Sequence, residues 1–195
     1  MKKSLKARKR GAPVRFVFDA SMPKEMQRYL TKKMNLTSDE DAFIPGGRYH
    51  NFKDFINFPI IKEKKLIYNH PPALNHKDLI NNPFTIIKAI KQKDILLHYP
   101  YHNYNHIINL LREASIDPKV ESIKITLYRI ADSSKIANAL VNAVKNGKKV
   151  MVVVELQARF DEENNIYWAD KLQEEGARVI YGVPGLKVHS KLFII

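Results

Sequence analysis

Residues 150–156, VMVVVEL, form a near-continuous apolar run. Such a run marks a parallel strand covered on both faces, because a strand with one wet face alternates polar and apolar positions. Its neighbours complete the pattern. Upstream, Gly147 supplies a helix stop, and residues 134–146 (SKIANALVNAVKN) carry apolar side chains at helical spacing from Ile136 through Leu140 to Val144. Residues 120–127 (VESIKITL) read as the preceding strand. Downstream, residues 166–175 read as a helix closed by Gly176, residues 178–181 (RVIY) as a third strand, and residues 188–195 as one more strand paired with it. The direction of that last strand is open, since the Gly182-Val183-Pro184-Gly185 turn is short enough for a hairpin. The expected fold class is α/β, built on a βαβαβ unit.

This layout gives meaning to a regular spacing. Arg129, Arg159 and His189 are each thirty residues apart, close to the length of one strand-helix-strand unit. Arg129 falls just past the first strand and Arg159 just past the second, at the carboxyl ends where open α/β sheets bind ligands. His189 and Lys191 are two positions apart, so a strand would point both the same way. An imidazole nitrogen can attack phosphorus, and an ammonium beside it offsets charge on phosphoryl oxygens. Guanidinium forks match phosphate oxygens in pairs, whereas lysine acts as a point charge. A plainer alternative pairs Arg129 and Arg159 with Asp132, Asp161, Glu162 or Glu163 at the surface.

Five segments carry a family resemblance: LYR at 127–129, VELQARFDEENNI at 154–166, GLKVHSKL at 185–192, PGGRYHNFKDF at 45–55 and LLHYPY at 96–101. In that content and order the chain resembles the polyphosphate kinase family, whose catalytic domains are phospholipase D-like. The resemblance implies reversible transfer of the terminal phosphate of ATP to inorganic polyphosphate through a phosphohistidine. His189 matches the phosphohistidine position and Lys191 the lysine that offsets charge on the phosphoryl group. Arg129 and Arg159 match two arginines beside the catalytic Mg2+. A guanidinium has no lone pair for a metal, so these arginines would hold the phosphate oxygens that magnesium also touches. The resemblance also implies ATP and ADP as partners, a homo-oligomeric parent, and a cytoplasmic location with peripheral membrane association as a further option for the parent. Complete members are several times longer, so the expectation is an interior piece, inactive by itself. Residues 1–90 would close a middle domain, and 91–195 would open the first phospholipase D-like domain.

Composition sets outer bounds. The chain has 195 residues, 45% hydrophobic and 27% charged, as a globular protein of one or two small domains should. No apolar run reaches the roughly 18 residues of a membrane span, and the basic N-terminus lacks the apolar core of a signal peptide. Zero cysteines exclude disulfides, zinc–thiolate sites and thiol catalysis, and fit a cytoplasmic protein. The net charge of +13 is uneven: residues 1–90 hold 18 Lys/Arg against 8 Asp/Glu, a balance of +10, and residues 91–195 hold 15 against 12, a balance of +3. Such positive potential favours any polyanion, and charge alone does not separate polyphosphate from nucleic acid; no nucleic-acid fold signature is present.

The first half reads as a different unit. Residues 14–18 alternate as a strand, and Pro23 opens a helix to Met34. Tyr49, Phe52, Phe55, Ile56 and Phe58 have partly helical spacing and read as core. Arg48, His50 and Lys53, beside the Gly46-Gly47 turn, are candidate polyphosphate contacts. The basic run from Lys2 to Arg10 reads as a solvated tail. Residues 84–91 read as a helix, 95–98 (ILLH) as a strand and 104–115 as a helix buried through Ile107, Leu110 and Leu111. His98, His102 and His106 straddle a strand, the Pro100 break and a helix start, so they read as hydrogen-bonded or exposed histidines rather than metal ligands. Two rival functions stand beside the kinase: a phospholipase D-like phosphodiesterase passing its phosphohistidine to water, and a non-enzymatic polyanion-binding module.

Overall fold

The computed structural model describes residues 2–8, 10–11, 15–36, 43–49, 51–59, 61, 63–80 and 86–195. Contacts divide the chain into two compact units, Met1–His70 and Pro71–Ile195.

In the first unit, α1 (Lys2–Arg8), β1 (Phe16–Asp19), α2 (Lys24–Lys33) and β2 (Phe43–Gly46) follow in order. Strands β1 and β2 pair in parallel with Phe16 opposite Phe43, and those two rings meet edge to face at 5.7 Å. Within the basic run expected as a tail, Lys2–Arg8 form the helix α1, whose Leu5 is buried. Residues 52–57 form a 3-10 helix capped by the Asn51 side chain, which accepts from the Lys53 N–H. Its geometry corrects the expectation of an aromatic core. Three residues per turn stack Phe52, Phe55 and Phe58 in one row, with ring centres 6.1 Å apart at each step. That row packs on itself at the surface, and Phe52 is 77% exposed.

In the second unit, α3 (Lys77–Ile80) and α4 (Ile86–Gln92) lead into α5 (Asn105–Ile116), β3 (Ser122–Leu127), α6 (Lys135–Lys145), β4 (Lys149–Val154), α7 (Glu162–Glu174), β5 (Arg178–Tyr181) and β6 (Phe193–Ile194). Residues 71–80 and 86–90 therefore pack with this unit, held partly by Glu113, whose carboxylate accepts from the Ile86 and Ile87 N–H groups. The sheet order is β5-β4-β3-β6, with β3, β4 and β5 parallel. The apolar run that announced β4 buries Val152 and Val154 completely. Leu140 of α6, Leu172 of α7 and Leu111 of α5 are fully buried in the same core as those strands.

Helix ends follow local chemistry. The Ser134 hydroxyl accepts from the Ala137 N–H at the start of α6. At the ends of α6 and α7, Gly147 and Gly176 take φ of 78° and 104°. Each closes its helix with paired bonds: Lys148 N–H to Ala143 C=O with Gly147 N–H to Val144 C=O, and Ala177 N–H to Leu172 C=O with Gly176 N–H to Gln173 C=O.

Two expected strands are corrected. Residues 188–195 do not extend β5; only Phe193–Ile194 pairs, antiparallel, on the far side of β3. The cause lies in two side chains that capture this segment's backbone. The Thr126 hydroxyl donates to Ser190 C=O at 2.7 Å and accepts from Leu192 N–H at 3.1 Å, and Glu155 accepts from Val188 N–H at 2.8 Å. Residues 95–98 form no strand either, because His98 opens a turn in which its N–H donates to His102 Nδ1 and its C=O accepts from His102 N–H.

Candidate active site

Arg129 lies two residues beyond β3 and Arg159 five beyond β4, so both follow the carboxyl ends of parallel strands. Between strand and arginine sits Tyr128, and its ring is where the site gathers. The His189 ring meets it edge to face, centres 4.8 Å apart. Lys191 Nζ lies 5.0 Å from the Tyr128 ring centre, Arg129 Cζ 5.4 Å and Lys187 Nζ 5.5 Å. Lys191 Nζ also donates to His189 C=O. The displaced 188–192 segment thus delivers His189 and Lys191 to the end of β3, where Arg129 waits. All four polar side chains belong to exposed residues, open to a ligand.

Arg159 stands apart from this ring. It is carried on the neighbouring β4–α7 loop, with Cζ 5.0 Å from the Phe160 ring centre. Arg129 pairs with Asp161 of that same loop, which realises part of the plainer alternative. The structure therefore joins Arg129, His189 and Lys191 around one ring and leaves Arg159 on the adjoining loop.

The segments bearing these groups are tied beneath the surface by two buried polar side chains. Asn165, in the second turn of α7, is completely buried. Its Oδ1 accepts from Ile130 N–H at 2.9 Å, and its Nδ2 donates to Tyr128 C=O and Glu155 C=O, both at 2.8 Å. Glu155, 5% exposed, accepts from Gln157 N–H through one carboxylate oxygen and from Val188 N–H through the other, each at 2.8 Å. Trp168 Nε1 adds a bond to Ala131 C=O.

Sequence reasoning gave no role to Tyr128, Glu155, Asn165 or Lys187. All four lie inside the motifs at 127–129, 154–166 and 185–192, so the signal was motif length. Lys187 also had a periodic signal, since positions 187, 189 and 191 alternate on one face of an extended segment.

The other candidates lie elsewhere. In the first unit, Arg48 pairs with Asp19 at 3.3 Å; hydrogen bonds from Ser21, then Arg48, hold the Asp19 carboxyl below its ordinary range. Lys53 lies in the 3-10 helix, and His50 falls outside the described residues. His106 Nε2 accepts from His76 N–H at 3.2 Å and His102 Nδ1 from His98 N–H at 2.7 Å.

Magnesium requires several oxygen ligands in octahedral array. Arg129 and Arg159 offer no lone pair, Asp161 is turned to Arg129, and both Glu155 oxygens take backbone N–H groups. Among the described residues no three His, Asp or Glu side chains converge as a cage. The residues present do not fit a resident Mg2+, and an ion would meet Arg129 and Arg159 only through shared phosphate oxygens.

What this geometry offers is a cationic, open surface around an accessible imidazole, suited to an extended anion. Residues 85–195 match the model described as polyphosphate kinase C-terminal domain 1, and residues 1–58 match that of the polyphosphate kinase middle domain. The chain is 51% identical over 197 residues to the polyphosphate kinase of Yersinia pestis and 50% identical over 199 residues to that of Escherichia coli K12. All of the chain is covered in both, and it spans 28% of the length of each relative. A crystal structure of polyphosphate kinase from Porphyromonas gingivalis superposes with a TM-score of 0.66 at 39% identity, covering 94% of this chain and 28% of that one. With more than half of the chain inside one family model and half of its residues shared with curated members, it belongs to the polyphosphate kinase family.

Proposed function

We propose that this chain carries the phosphohistidine centre of an enzyme that moves the terminal phosphate of ATP reversibly onto inorganic polyphosphate. The reading is carried by one observation: His189 lies against the Tyr128 ring with Arg129 and Lys191 on the same ring, an imidazole nucleophile set among fixed cations. In the forward direction a ring nitrogen of His189 attacks the γ-phosphorus, a P–N bond forms, the bridging P–O bond breaks and ADP leaves. A terminal oxygen of polyphosphate then attacks the same phosphorus, the P–N bond breaks and the chain is one phosphate longer. Lys191 and Arg129 offset charge on the equatorial oxygens during both steps, where positioning and charge stabilisation supply most of the catalysis. Arg159 holds oxygens farther along the polyanion. A magnesium ion carried by the nucleotide would supply further charge neutralisation on the phosphates, with Arg129 and Arg159 holding the oxygens it shares.

Arg48, His50 and Lys53 are proposed as secondary polyphosphate contacts of the first unit. We read residues 1–90 as the end of the middle domain and residues 91–195 as the start of the first catalytic domain, although 71–80 and 86–90 pack with the latter. A cytoplasmic location, with peripheral membrane association of the parent as a further option, and a homo-oligomeric state both rest on family resemblance.

The test is acid-labile labelling with γ-phosphate-labelled ATP in the complete enzyme. The label should map to His189, and His189→Ala should abolish both label and synthesis, since no other group carries the intermediate. Arg129→Ala and Arg159→Ala should lower turnover on the order of a hundredfold through lost charge stabilisation. A phosphodiesterase would not accept the terminal phosphate of ATP, and a binding module would take no covalent label; either result would reject the proposal.

A further inference from the structure

We infer that Glu155 and Asn165 are positioning residues of this site, a buried carboxylate and a buried amide that set the register of the three segments bearing Arg129, Arg159 and His189. The inference rests on the phosphohistidine reading above.

Each functional residue has a neighbouring peptide group held by this pair. Asn165 binds the C=O of Tyr128 and the N–H of Ile130, gripping Arg129 from both sides. The Glu155 carboxylate binds Gln157 N–H, two residues before Arg159, and Val188 N–H, one residue before His189. Asn165 Nδ2 also binds the Glu155 backbone carbonyl, so the two residues form one connected network. Three loop segments otherwise separated by thirty residues each are thereby fixed to one another through hydrogen bonds of 2.8–2.9 Å.

Stability alone does not call for this arrangement. A buried carboxylate is expensive to desolvate, and an apolar residue of similar volume often serves folding as well or better. A fully satisfied polar network, by contrast, specifies one geometry, because any slip leaves a buried donor or acceptor unpaired. Neither side chain is among those that face the anion, so neither is a catalytic residue. They act through the placement of Arg129 and His189, where an error of about 1 Å costs on the order of a hundredfold in rate.

The experiment compares Glu155→Gln and Asn165→Asp with wild type and His189→Ala in the complete enzyme. Glu155→Gln keeps the shape but turns an amide N–H toward a backbone N–H; Asn165→Asp turns an acceptor toward two carbonyl oxygens. The expected result is a fall in kcat of more than about tenfold, with KM for ATP held within about twofold and unchanged far-UV circular dichroism. Slower labelling of His189 should accompany it. A smaller fall, or a loss of folded protein with normal kcat per folded molecule, overturns the inference. His189→Ala separates the two levels: if it still makes polyphosphate, the phosphohistidine reading fails; if it is dead while both variants turn over normally, only the positioning role fails. Amide exchange on the unaltered chain of 195 residues gives a second measurement, independent of whether the variants fold. Gln157, Ile130 and Val188 N–H groups should exchange far more slowly than those of Lys187 and His189, and equal rates would overturn the inference.

Discussion

Three cations stand 5.0–5.5 Å from the Tyr128 ring centre and repel one another, so something must hold them together before a ligand arrives. Part of the answer is the ring's electron-rich face, which attracts each cation at modest strength when exposed; part is Asp161, which pairs with Arg129. Neither compensates fully, and the residual positive charge is what the phosphate of the proposed reaction would satisfy. Polar burial acts differently at His106. Burial first, then the charges of His76 and His102, pushes its pKa below the ordinary histidine value, and its Nε2 must stay an acceptor for His76 N–H. The folded chain therefore refuses a proton that the unfolded chain binds below pH about 6.5. With more protons bound in the unfolded state, stability rises with pH, so this contribution is complete above that value and is lost as pH falls beneath it. The melting temperature should drop between pH 7.5 and 5.5, and His106→Gln, which keeps an acceptor but cannot titrate, should shrink that drop. An unchanged drop in the variant would show that His106 is not its source.

At the scale of elements, the helix stops are the sharpest features. Gly147 has nothing within 4 Å of where a Cβ would sit, yet its φ is 78°. Gly147→Ala should thus cost about 1 kcal/mol through backbone strain alone, read as a lower urea midpoint at constant slope; a neutral or stabilising result would contradict the left-handed closure. That same glycine, with Gly176 and the unbroken apolar run of β4, is why β3, α6, β4, β5 and the body of α7 were legible, although α7 begins at Glu162 rather than 166 because its first turn is polar: propensity, period and tertiary packing all agree there. Where they disagree, the sequence misleads. Residues 188–195 have a strand's composition, but Thr126 and Glu155 take their backbone groups, a long-range event with no local trace. Residues 95–98 look like a strand until His102 closes a turn on His98. The row Phe52, Phe55, Phe58 reads as core because hydrophobicity says what a side chain prefers, not whether a partner layer exists to cover it. Among the candidate site residues, charge and spacing singled out Arg129, Arg159, His189 and Lys191, of which Arg129, His189 and Lys191 meet at the Tyr128 ring. Glu155 and Asn165 stayed hidden, since nothing in a run of polar letters reveals which of them will be buried.

Across the whole molecule, two charge distributions compete for a polyanion. Residues 1–90 hold a balance of +10 and residues 91–195 only +3, so bulk attraction favours the first stretch. The site's cations, however, are concentrated: Arg129, Lys187 and Lys191 share one ring, and local density decides how many phosphates are contacted at once. The 195 residues should therefore bind labelled polyphosphate with an affinity that falls steeply with salt, as counterion release requires for any regular polyanion. If the Tyr128 cluster is the main contact, Arg129→Ala with Lys191→Ala should lower the slope of log affinity against log salt by about two, one for each lost phosphate contact. Fluorescence anisotropy from about 50 to 200 mM salt measures it, and an unchanged slope would move the binding to the first unit. Binding should come without turnover in this chain alone. His189 and Arg129 are exposed, so water reaches any phosphoryl group placed there, and catalysis of such transfers needs a site that excludes it. ATP-dependent polyphosphate synthesis by these 195 residues would mean that the surface around Tyr128 closes by itself, and that the cluster is a whole active site rather than one wall of it.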